Sequence, residues 1–145
     1  MPKLAILADP NSTHTFKWVS NLSEQGYTIL LIGISEKTTD LYTHFKNVNC
    51  KFILVNKGTQ KQNFISLQNL KHFLKLRREI SEFSPDILHS FYASSYGFIG
   101  AICNITPFVI SVWGSDIFEF PKKSFLHKRI IQYSLNRANK ICATG

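Results

Sequence analysis

The chain has 145 residues, of which 44% are hydrophobic and 18% are charged, and this is the size and composition of one globular domain with a buried core. No apolar run approaches the roughly 18 residues that a membrane-spanning helix needs, and the N-terminal segment turns acidic at Asp9, too early for a signal peptide. Seventeen Lys and Arg residues against nine Asp and Glu give a net charge of +8. Such an excess favours an anionic partner, but it does not choose among nucleic acid, a phosphorylated ligand and an anionic membrane.

The first half of the chain alternates apolar strands with helical segments. The pattern predicts a strand at 3–8, a helix from a cap at 11–13 to about residue 25, a strand at 27–34, a short helix at 41–47, a strand at 50–55 and a loop at 56–63.

The second half continues the alternation, with a helix at 66–83, a strand at 86–89, a helix at 93–103, a strand at 108–112, a helix at 125–138 and a strand at 140–143. Gly97 and Gly100 each cost a helix about 1 kcal/mol relative to alanine, so they indicate a helix that packs very closely on the sheet. The whole pattern predicts one α/β, Rossmann-like domain with a mainly parallel sheet of about six strands and helices on both faces.

The three cysteines lie far apart, each in an apolar run, and without the spacing of metal ligands. An odd number of such cysteines predicts reduced core thiols in a cytoplasmic protein, and no metal site.

Candidate site residues occur in the segments that follow the first, fourth and fifth strands, and ligands of open parallel sheets bind outside these carboxyl ends. They are Asn11, His14, His89, Ser90, Tyr92, Gly114, Ser115 and Asp116. If the three strands are neighbours, their loops share one edge and offer hydroxyls, an imidazole, a carboxylate and aromatic faces to a polyhydroxy ligand.

Each main candidate also has a purely structural interpretation. His89 is either a general base or sugar-hydroxyl partner, or a buried histidine bonded to nearby backbone. Asp116 either accepts hydrogen bonds from ligand hydroxyls beside a close backbone approach at Gly114, or caps a short turn together with Glu119. His14 either helps to bind an anion at a helix N-terminus or is an exposed polar residue.

The turn after the first strand contains no glycine, so the dinucleotide fingerprint G-x-G-x-x-G is absent, and the chain has no Walker P-loop. These absences argue against a dehydrogenase and against a nucleotide hydrolase.

A basic segment surrounds the last helix. Its cationic residues and His127 are interleaved with apolar ones: Lys122, Lys123, His127, Lys128, Arg129 and Arg137 with Phe120, Phe125, Leu126, Ile130 and Ile131. The segment either contacts an anionic bilayer or forms the solvated outer face of a core helix, and the second interpretation is the usual one. No nucleic-acid-binding signature accompanies it.

Five segments, in this order and spacing, resemble family 4 glycosyltransferases. Residues 13–18 and 26–29 resemble the family's His-Thr-x-x-Trp helix and the Gly-His-x-Val start of its second strand. Residues 85–90 resemble the Pro-Asp-hydrophobic-hydrophobic-His strand, and residues 112–117 the Trp/His-Gly-Ser/x-Asp loop. Residues 138–144 resemble the strand that follows in these enzymes.

The resemblance implies one half of a GT-B fold, in which two Rossmann-like domains enclose a cleft. The N-terminal domain of such enzymes mostly holds the acceptor, and the C-terminal domain holds the nucleotide sugar. The transfer retains the anomeric configuration, and it usually needs no metal. Residues 1–145 would then be the N-terminal domain, a fragment without the donor-binding domain and its Glu-x7-Glu motif. By itself this fragment would be inactive, and it would hold no cofactor.

One position departs from the family pattern. Many members read His-x-His after the fourth strand, and the second histidine meets the donor sugar. Here the first position is His89 and the second is Phe91, which can neither donate a hydrogen bond to a sugar nor carry a proton. The catalytic residue is therefore unknown, with His89 as a weak candidate.

The resemblance thus implies the acceptor-binding domain of a retaining, nucleotide-sugar-dependent glycosyltransferase that builds a surface polysaccharide or glycolipid. Its expected partner is a sugar or lipid-linked acceptor and not nucleic acid. Its expected location is the cytoplasm, with peripheral contact at the inner face of an anionic membrane left open. The rival prediction is a non-catalytic, flavodoxin-like α/β domain that binds a phosphorylated small ligand or a protein partner.

Overall fold

One parallel sheet organises the molecule. The computed structural model describes residues 1–34, 40–53 and 67–143, with the side chains of residues 67–71 left aside. The strands of its sheet are β1 (Lys3–Leu7), β2 (Thr28–Gly33), β3 (Val48–Phe52), β4 (Ile87–Phe91), β5 (Phe108–Val112) and β6 (Lys140–Ala143). They pair in the order β3-β2-β1-β4-β5-β6, and every pair is parallel. The predicted Rossmann-like α/β domain is confirmed.

Helices cover both faces of the sheet. They are α1 (Thr13–Glu24), α2 (Leu67–Phe83), α3 (Ser95–Cys103), the single turn α4 (Ser115–Phe118) and α5 (Phe125–Arg137), with 3-10 turns at Asp40–Tyr42 and Phe120–Lys123. The face under α1 is called the front face here, and the face under α2, α3 and α5 the back face. In the described parts of the chain, no helix combines the length and the apolar character that crossing a membrane requires.

The apolar strand residues alternate between two cores. The front core joins residues of β1 and β2 to α1: Leu4, Ile6, Ile29, Leu31 and Val19. The back core joins the other residues of these strands to α2 and α3, and it includes Leu7, Leu30, Ile32, Leu76, Ile80 and Ile99. Because β1 and β2 are buried on both faces, their sequences read as continuous apolar runs. Burying each such side chain contributes about 1.5–3 kcal/mol.

Helix α3 packs on the sheet as closely as its two glycines predict. A Cβ atom on Gly97 would lie 2.7 Å from the carbonyl oxygen of Tyr92, and one on Gly100 would lie 2.6 Å from the ring of Phe108 and from the hydroxyl of Ser90. Real Cβ atoms do not come so close to other atoms, so a larger residue at either position would push α3 away from β4 and β5.

The predicted helix at 41–47 is wrong, since the described chain has only the 3-10 turn Asp40–Tyr42 there. Asn47 explains why this segment is not helical. Its side-chain amide donates to the carbonyl oxygens of Ser23 and Tyr27, and its amide oxygen accepts from the hydroxyl of Ser23 at 2.6 Å. These bonds hold the segment against the end of α1 in an irregular path. The loop predicted at 56–63 lies outside the described residues.

Strand β4 ends later than predicted. The sequence predicts a strand that ends at His89, but β4 continues to Phe91, which pairs with Ser111 of β5. The ladder ends at Tyr92, whose φ of 70° turns the chain away. Ser90 and Phe91 are compatible with a strand, because successive residues point to opposite faces of the sheet and so separate the polar side chain from the aromatic one.

The cysteines differ in exposure. Cys103 is buried in the back core, and burial raises its pKa to about 12. Cys50 is half-buried, and burial raises its pKa to about 11. Cys142 is exposed on the edge strand β6, so the prediction of a core thiol is wrong at that position.

Candidate functional site

Three loops meet at the carboxyl edge of the sheet. β1 pairs with both β2 and β4, and β4 pairs with β5, so the segments after β1, β4 and β5 leave the sheet side by side. The chain order reverses between β1 and β4, which is the switch point where open α/β sheets bind ligands. The predicted convergence of these loops on one edge is confirmed.

Aromatic rings from α1, β4 and the loops after β4 and β5 form one group at this edge, called the aromatic cluster here. Its members are His14 and Trp18 of α1, His89 and Phe91 of β4, and the loop residues Tyr92 and Trp113. Trp113 is the centre, with ring centroids of His14, Phe91 and Tyr92 at 5.2, 5.9 and 6.0 Å from its own. Such ring pairs contribute about 0.5–1.5 kcal/mol each beyond burial, so the cluster also helps to fix the loops.

The front side of the cluster is open to solvent at Trp18. This side chain is 44% exposed, and it stands edge-on to the rings of His89 and Phe91 at about 6 Å (6.2 and 6.1 Å). Phe91, by contrast, is buried at 2% exposure. The position that is histidine in many family 4 sequences is therefore part of an apolar wall, and it offers no polar atom to a ligand.

His89 is held by a neighbouring strand. Its Nε2 and the hydroxyl of Ser111 on β5 are hydrogen-bonded at 2.8 Å. Burial lowers the pKa of His89 to about 4, so the imidazole is neutral at physiological pH. A neutral imidazole can accept a proton or exchange hydrogen bonds with a hydroxyl, but it does not carry a fixed positive charge.

Asp116 ties two of the loops together. It is 3% exposed, and its two carboxylate oxygens accept from backbone N–H groups, Oδ2 from Ala93 at 2.7 Å and Oδ1 from Trp113 at 3.0 Å. The carboxylate therefore joins the loop after β4 to the loop after β5. Neither of these two bonds involves Glu119 or another charged side chain.

The loop after β1 is shaped by residues of β2 and of the 3-10 turn. The ring of Pro10 lies against Gly33, where a Cβ atom would be only 2.4 Å from the proline Cδ. The hydroxyl of Tyr42 donates to the carbonyl oxygen of Pro10 at 2.8 Å. Asp9 closes the turn by accepting from the backbone N–H of Asn11 at 3.0 Å. A carboxylate thus lies next to the start of α1.

Two backbone positions near the site have positive φ. Gly114 has a φ of 97°, which glycine adopts without steric cost, and it leads from β5 into α4. Tyr92 adopts a φ of 70°, which is uncommon for a residue with a side chain. Its carbonyl oxygen accepts from the N–H of Gly97 at 2.8 Å, and this bond stabilises the turn.

The structure brings most of the predicted site residues to one edge. His14, His89, Tyr92, Gly114 and Asp116 lie in or beside the aromatic cluster, and Asn11 and Ser115 lie exposed in the adjoining turns. Ser90 is the exception, because its fully buried side chain points to the back face under Gly100, away from His89. Ser90 is buried because β4 continues past it, so its side chain follows the alternation of the strand and faces the back core.

Sequence reasoning missed four residues that shape the site. They are Trp18, Gly33, Tyr42 and Ser111. Gly33, a glycine in an apolar strand, and Ser111, a hydroxyl in an apolar strand, carry a detectable signal, since both are unusual inside buried strands. Trp18 is marked only as the last residue of the segment that resembles the His-Thr-x-x-Trp helix. Tyr42 carries no signal, because its position depends on how the 3-10 turn packs.

The chemistry available at this edge is stacking and hydrogen bonding. Aromatic faces can pack on the apolar faces of sugar rings, and the imidazole of His89 and backbone N–H groups can bind hydroxyls. Within residues 1–34, 40–53 and 67–143, no group of three or more His, Cys, Asp or Glu side chains is placed to hold a metal ion.

Comparison with known proteins adds to this geometry. Among solved structures, the sucrose-phosphate synthase from Thermosynechococcus elongatus matches the fold with a TM-score of 0.70 at 10% sequence identity. The match covers 97% of this chain and 42% of that structure, so this chain spans less than half of it. No curated protein matches the sequence. The sequence model of the family described as glycosyl transferase 4-like matches residues 3–145, and the chain therefore belongs to this glycosyltransferase family.

Proposed function

We propose that this domain binds the acceptor for a retaining glycosyltransferase that takes its sugar from a nucleotide donor. The observation that carries the proposal is the aromatic cluster at the switch point, where Trp18 lies against His89 and His14 lies against Trp113. Stacking surfaces with a few hydrogen-bonding groups suit a polyhydroxy ligand better than a highly charged one.

In this proposal the residues divide into two groups. His14, Trp18, Tyr92 and Trp113 give the acceptor apolar surface, while His89, Asn11, Ser115 and the backbone at Gly114 give it hydrogen bonds. Asp116 acts through the loops that it joins, and Ser90 is left out because it is buried on the back face. His89 remains a weak catalytic candidate, since its neutral imidazole is held by Ser111.

The donor side of the reaction is proposed to lie on a second, C-terminal domain. The match to 42% of a larger structure and the family membership support this arrangement. The domain described here then needs neither metal nor cofactor, and alone it transfers no sugar. We place the enzyme in the cytoplasm and the product in a surface polysaccharide or glycolipid.

The rival function, binding of a phosphorylated ligand, has less support. The N-terminus of α1 is the natural anion site of such a fold. Here the carboxylate of Asp9 lies beside it and is bonded to the Asn11 N–H. A negative charge at this point opposes the binding of phosphate.

Intrinsic fluorescence tests the acceptor site directly, because the only two tryptophans of the chain, Trp18 and Trp113, are both in the aromatic cluster. We expect a panel of soluble oligosaccharides to contain ligands that shift or quench this emission in a saturable way. His14→Ala removes a ring that packs on Trp113 and should weaken such binding about 2- to 10-fold.

The matched control is His44→Ala, which removes an exposed histidine outside the cluster and should leave the dissociation constant unchanged. If His14→Ala and the double variant Trp18→Phe, His14→Ala both bind as strongly as the wild type, the proposed site is contradicted.

A further inference from the structure

A second surface borders the candidate site. The single-turn helix α4 begins three residues after β5, and the 3-10 turn Phe120–Lys123 packs against both α4 and α5. The ring of Phe118 lies 3.9 Å from the place that a Cβ atom on Gly114 would take. These elements therefore start at the same edge of the sheet as the aromatic cluster.

Large apolar side chains on this surface are exposed to solvent. Phe118, Phe125 and Leu126 are 69%, 73% and 60% exposed, and they occur within nine residues of one another. One exposed apolar residue needs no explanation, but three on packed, consecutive elements form a feature typical of interaction surfaces.

Positive charge surrounds these apolar groups. Residues 117–137 contain five cations, Lys122, Lys123, Lys128, Arg129 and Arg137, and one acid, Glu119. In the described parts of the chain, the ion pairs all involve residues of β3 and α2, so none of these five cations has an acidic partner there.

Two of the cations lie over aromatic rings of the same surface. The Lys123 ammonium is 5.4 Å from the ring centre of Phe120, and the Arg129 guanidinium is 5.0 Å from that of Phe125. Phe125 and Arg129 are one helical turn apart, so they share a face of α5. The surface thus presents apolar groups and cations together. We call Phe118, Lys122, Lys123, Phe125, Leu126 and Arg129 the basic aromatic patch.

We propose that the basic aromatic patch binds the surface of an anionic lipid bilayer. Phenylalanine and leucine gain free energy by leaving water for the boundary of the acyl chains, while Lys and Arg attract anionic headgroups. A nucleic acid would use the cations and stack on the rings, but it offers no apolar phase to Leu126. A bilayer uses all three kinds of group.

This inference goes beyond the proposed function and does not require it. It gives the domain an orientation, because a bilayer against the patch would lie next to the carboxyl edge of the sheet. An acceptor with a lipid anchor would then meet the aromatic cluster at the membrane surface.

Vesicle flotation with the purified protein tests the patch without donor or acceptor. Vesicles of phosphatidylcholine with about 30 mol% phosphatidylglycerol carry the anionic headgroups of the proposal, and pure phosphatidylcholine vesicles are the neutral comparison. We expect retention on the anionic vesicles only, and release in about 1 M salt, where the Debye length is about 3 Å.

Two double variants separate the contributions of the patch. Phe125→Ser, Leu126→Ser removes apolar groups and keeps every charge, whereas Lys123→Gln, Arg129→Gln removes two charges. Each should weaken partition into anionic vesicles at least tenfold. The control Lys75→Gln, Arg78→Gln on α2 removes the same charge elsewhere and should change partition less than twofold.

A blue shift of the added tryptophan in Phe125→Trp on anionic vesicles, measured as a difference from the wild-type emission, supports insertion independently. Equal retention on neutral vesicles, or equal losses for the patch and control charge variants, would overturn the proposal. Unchanged vesicle binding by Phe125→Ser, Leu126→Ser, with retention on single-stranded RNA, would also overturn it and assign the surface to nucleic acid.

Discussion

At the scale of single residues, His89 shows how burial at a sheet edge keeps an imidazole uncharged while leaving it hydrogen-bonded. β4 places it on the front face, Ser111 on the next strand bonds its Nε2, and the rings of Trp18 and Phe91 cover it. The result is a neutral imidazole beside the carboxyl edge. Such a group suits hydrogen bonding to a sugar hydroxyl, and it is a poor partner for a phosphate.

The stability of the protein should depend on pH through His89. Its pKa is about 4 in the folded chain and about 6.5 when unfolded, so the unfolded state binds the proton more tightly. The contribution is fully present above pH 6.5 and is lost as the pH falls toward 4, by up to about 3 kcal/mol. Urea denaturation of wild type and His89→Gln from pH 7 to pH 4.5 measures it.

We expect the slope of unfolding free energy against pH to be smaller in His89→Gln than in wild type over this range. His44→Gln, which removes an exposed histidine, should keep the wild-type slope. Parallel slopes in wild type and His89→Gln would show that burial does not control this imidazole.

At the scale of elements, the loops after β4 and β5 behave as one unit because Asp116 bonds the backbone of both. This carboxylate is buried, and its bonds are charge-assisted, with donor–acceptor distances of 2.7 and 3.0 Å. The loops also share the ring contacts of Trp113 with Phe91 and Tyr92. A change at Asp116 should therefore disturb the candidate site without any contact to a ligand.

Asp116→Asn tests this linkage. An amide keeps one acceptor oxygen but turns an NH2 group toward the second backbone N–H, which leaves a buried donor without a partner. We expect a loss of about 1–3 kcal/mol in unfolding free energy, measured by urea denaturation. Ser115→Ala, its exposed neighbour, should change stability by less than about 0.5 kcal/mol. Equal stability of Asp116→Asn and wild type would refute the positioning role.

The elements also show how far sequence reasoning extends. Apolar runs and the paired glycines Gly97 and Gly100 predict the strands, the class of sheet and the close packing of α3, because these features depend on local pattern. The end of β4 and the burial of Ser90 could not be predicted in the same way. They depend on which neighbour continues the hydrogen-bond ladder, and this is a property of the assembled sheet.

The site follows the same division. Strand order at the switch point places His14, His89 and Trp113 together, and this was predictable once the strands were assigned. The inward turn of Asp116 was not, because a carboxylate after a strand can face either solvent or the neighbouring loop. The carboxylate of Asp116 turns toward the loop because the fold brings the N–H groups of Ala93 and Trp113 together there.

At the scale of the whole molecule, positive charge is unevenly distributed among the segments that border the candidate site. Five cations lie in residues 117–137, whereas the turn between β1 and α1 carries Asp9 and no glycine. Charge and site are therefore adjacent but separate. The cations can attract the domain to an anionic membrane, as proposed above. The aromatic cluster can bind a neutral ligand.

This separation predicts that the purified chain binds free nucleotides poorly. Calorimetric titration with UDP and GDP at 0.15 M salt should give no saturable heat at micromolar concentrations, because a diphosphate at the start of α1 would face the carboxylate of Asp9 without a glycine-rich loop to cradle it. Asp9→Asn removes that charge while keeping a side-chain acceptor for the Asn11 N–H, so any weak affinity should rise in this variant alone. Phosphate-dependent binding of micromolar affinity in the wild type, unchanged in Asp9→Asn, would reveal an anion site that the Asp9 carboxylate does not oppose. It would favour the phosphorylated-ligand function over the acceptor site.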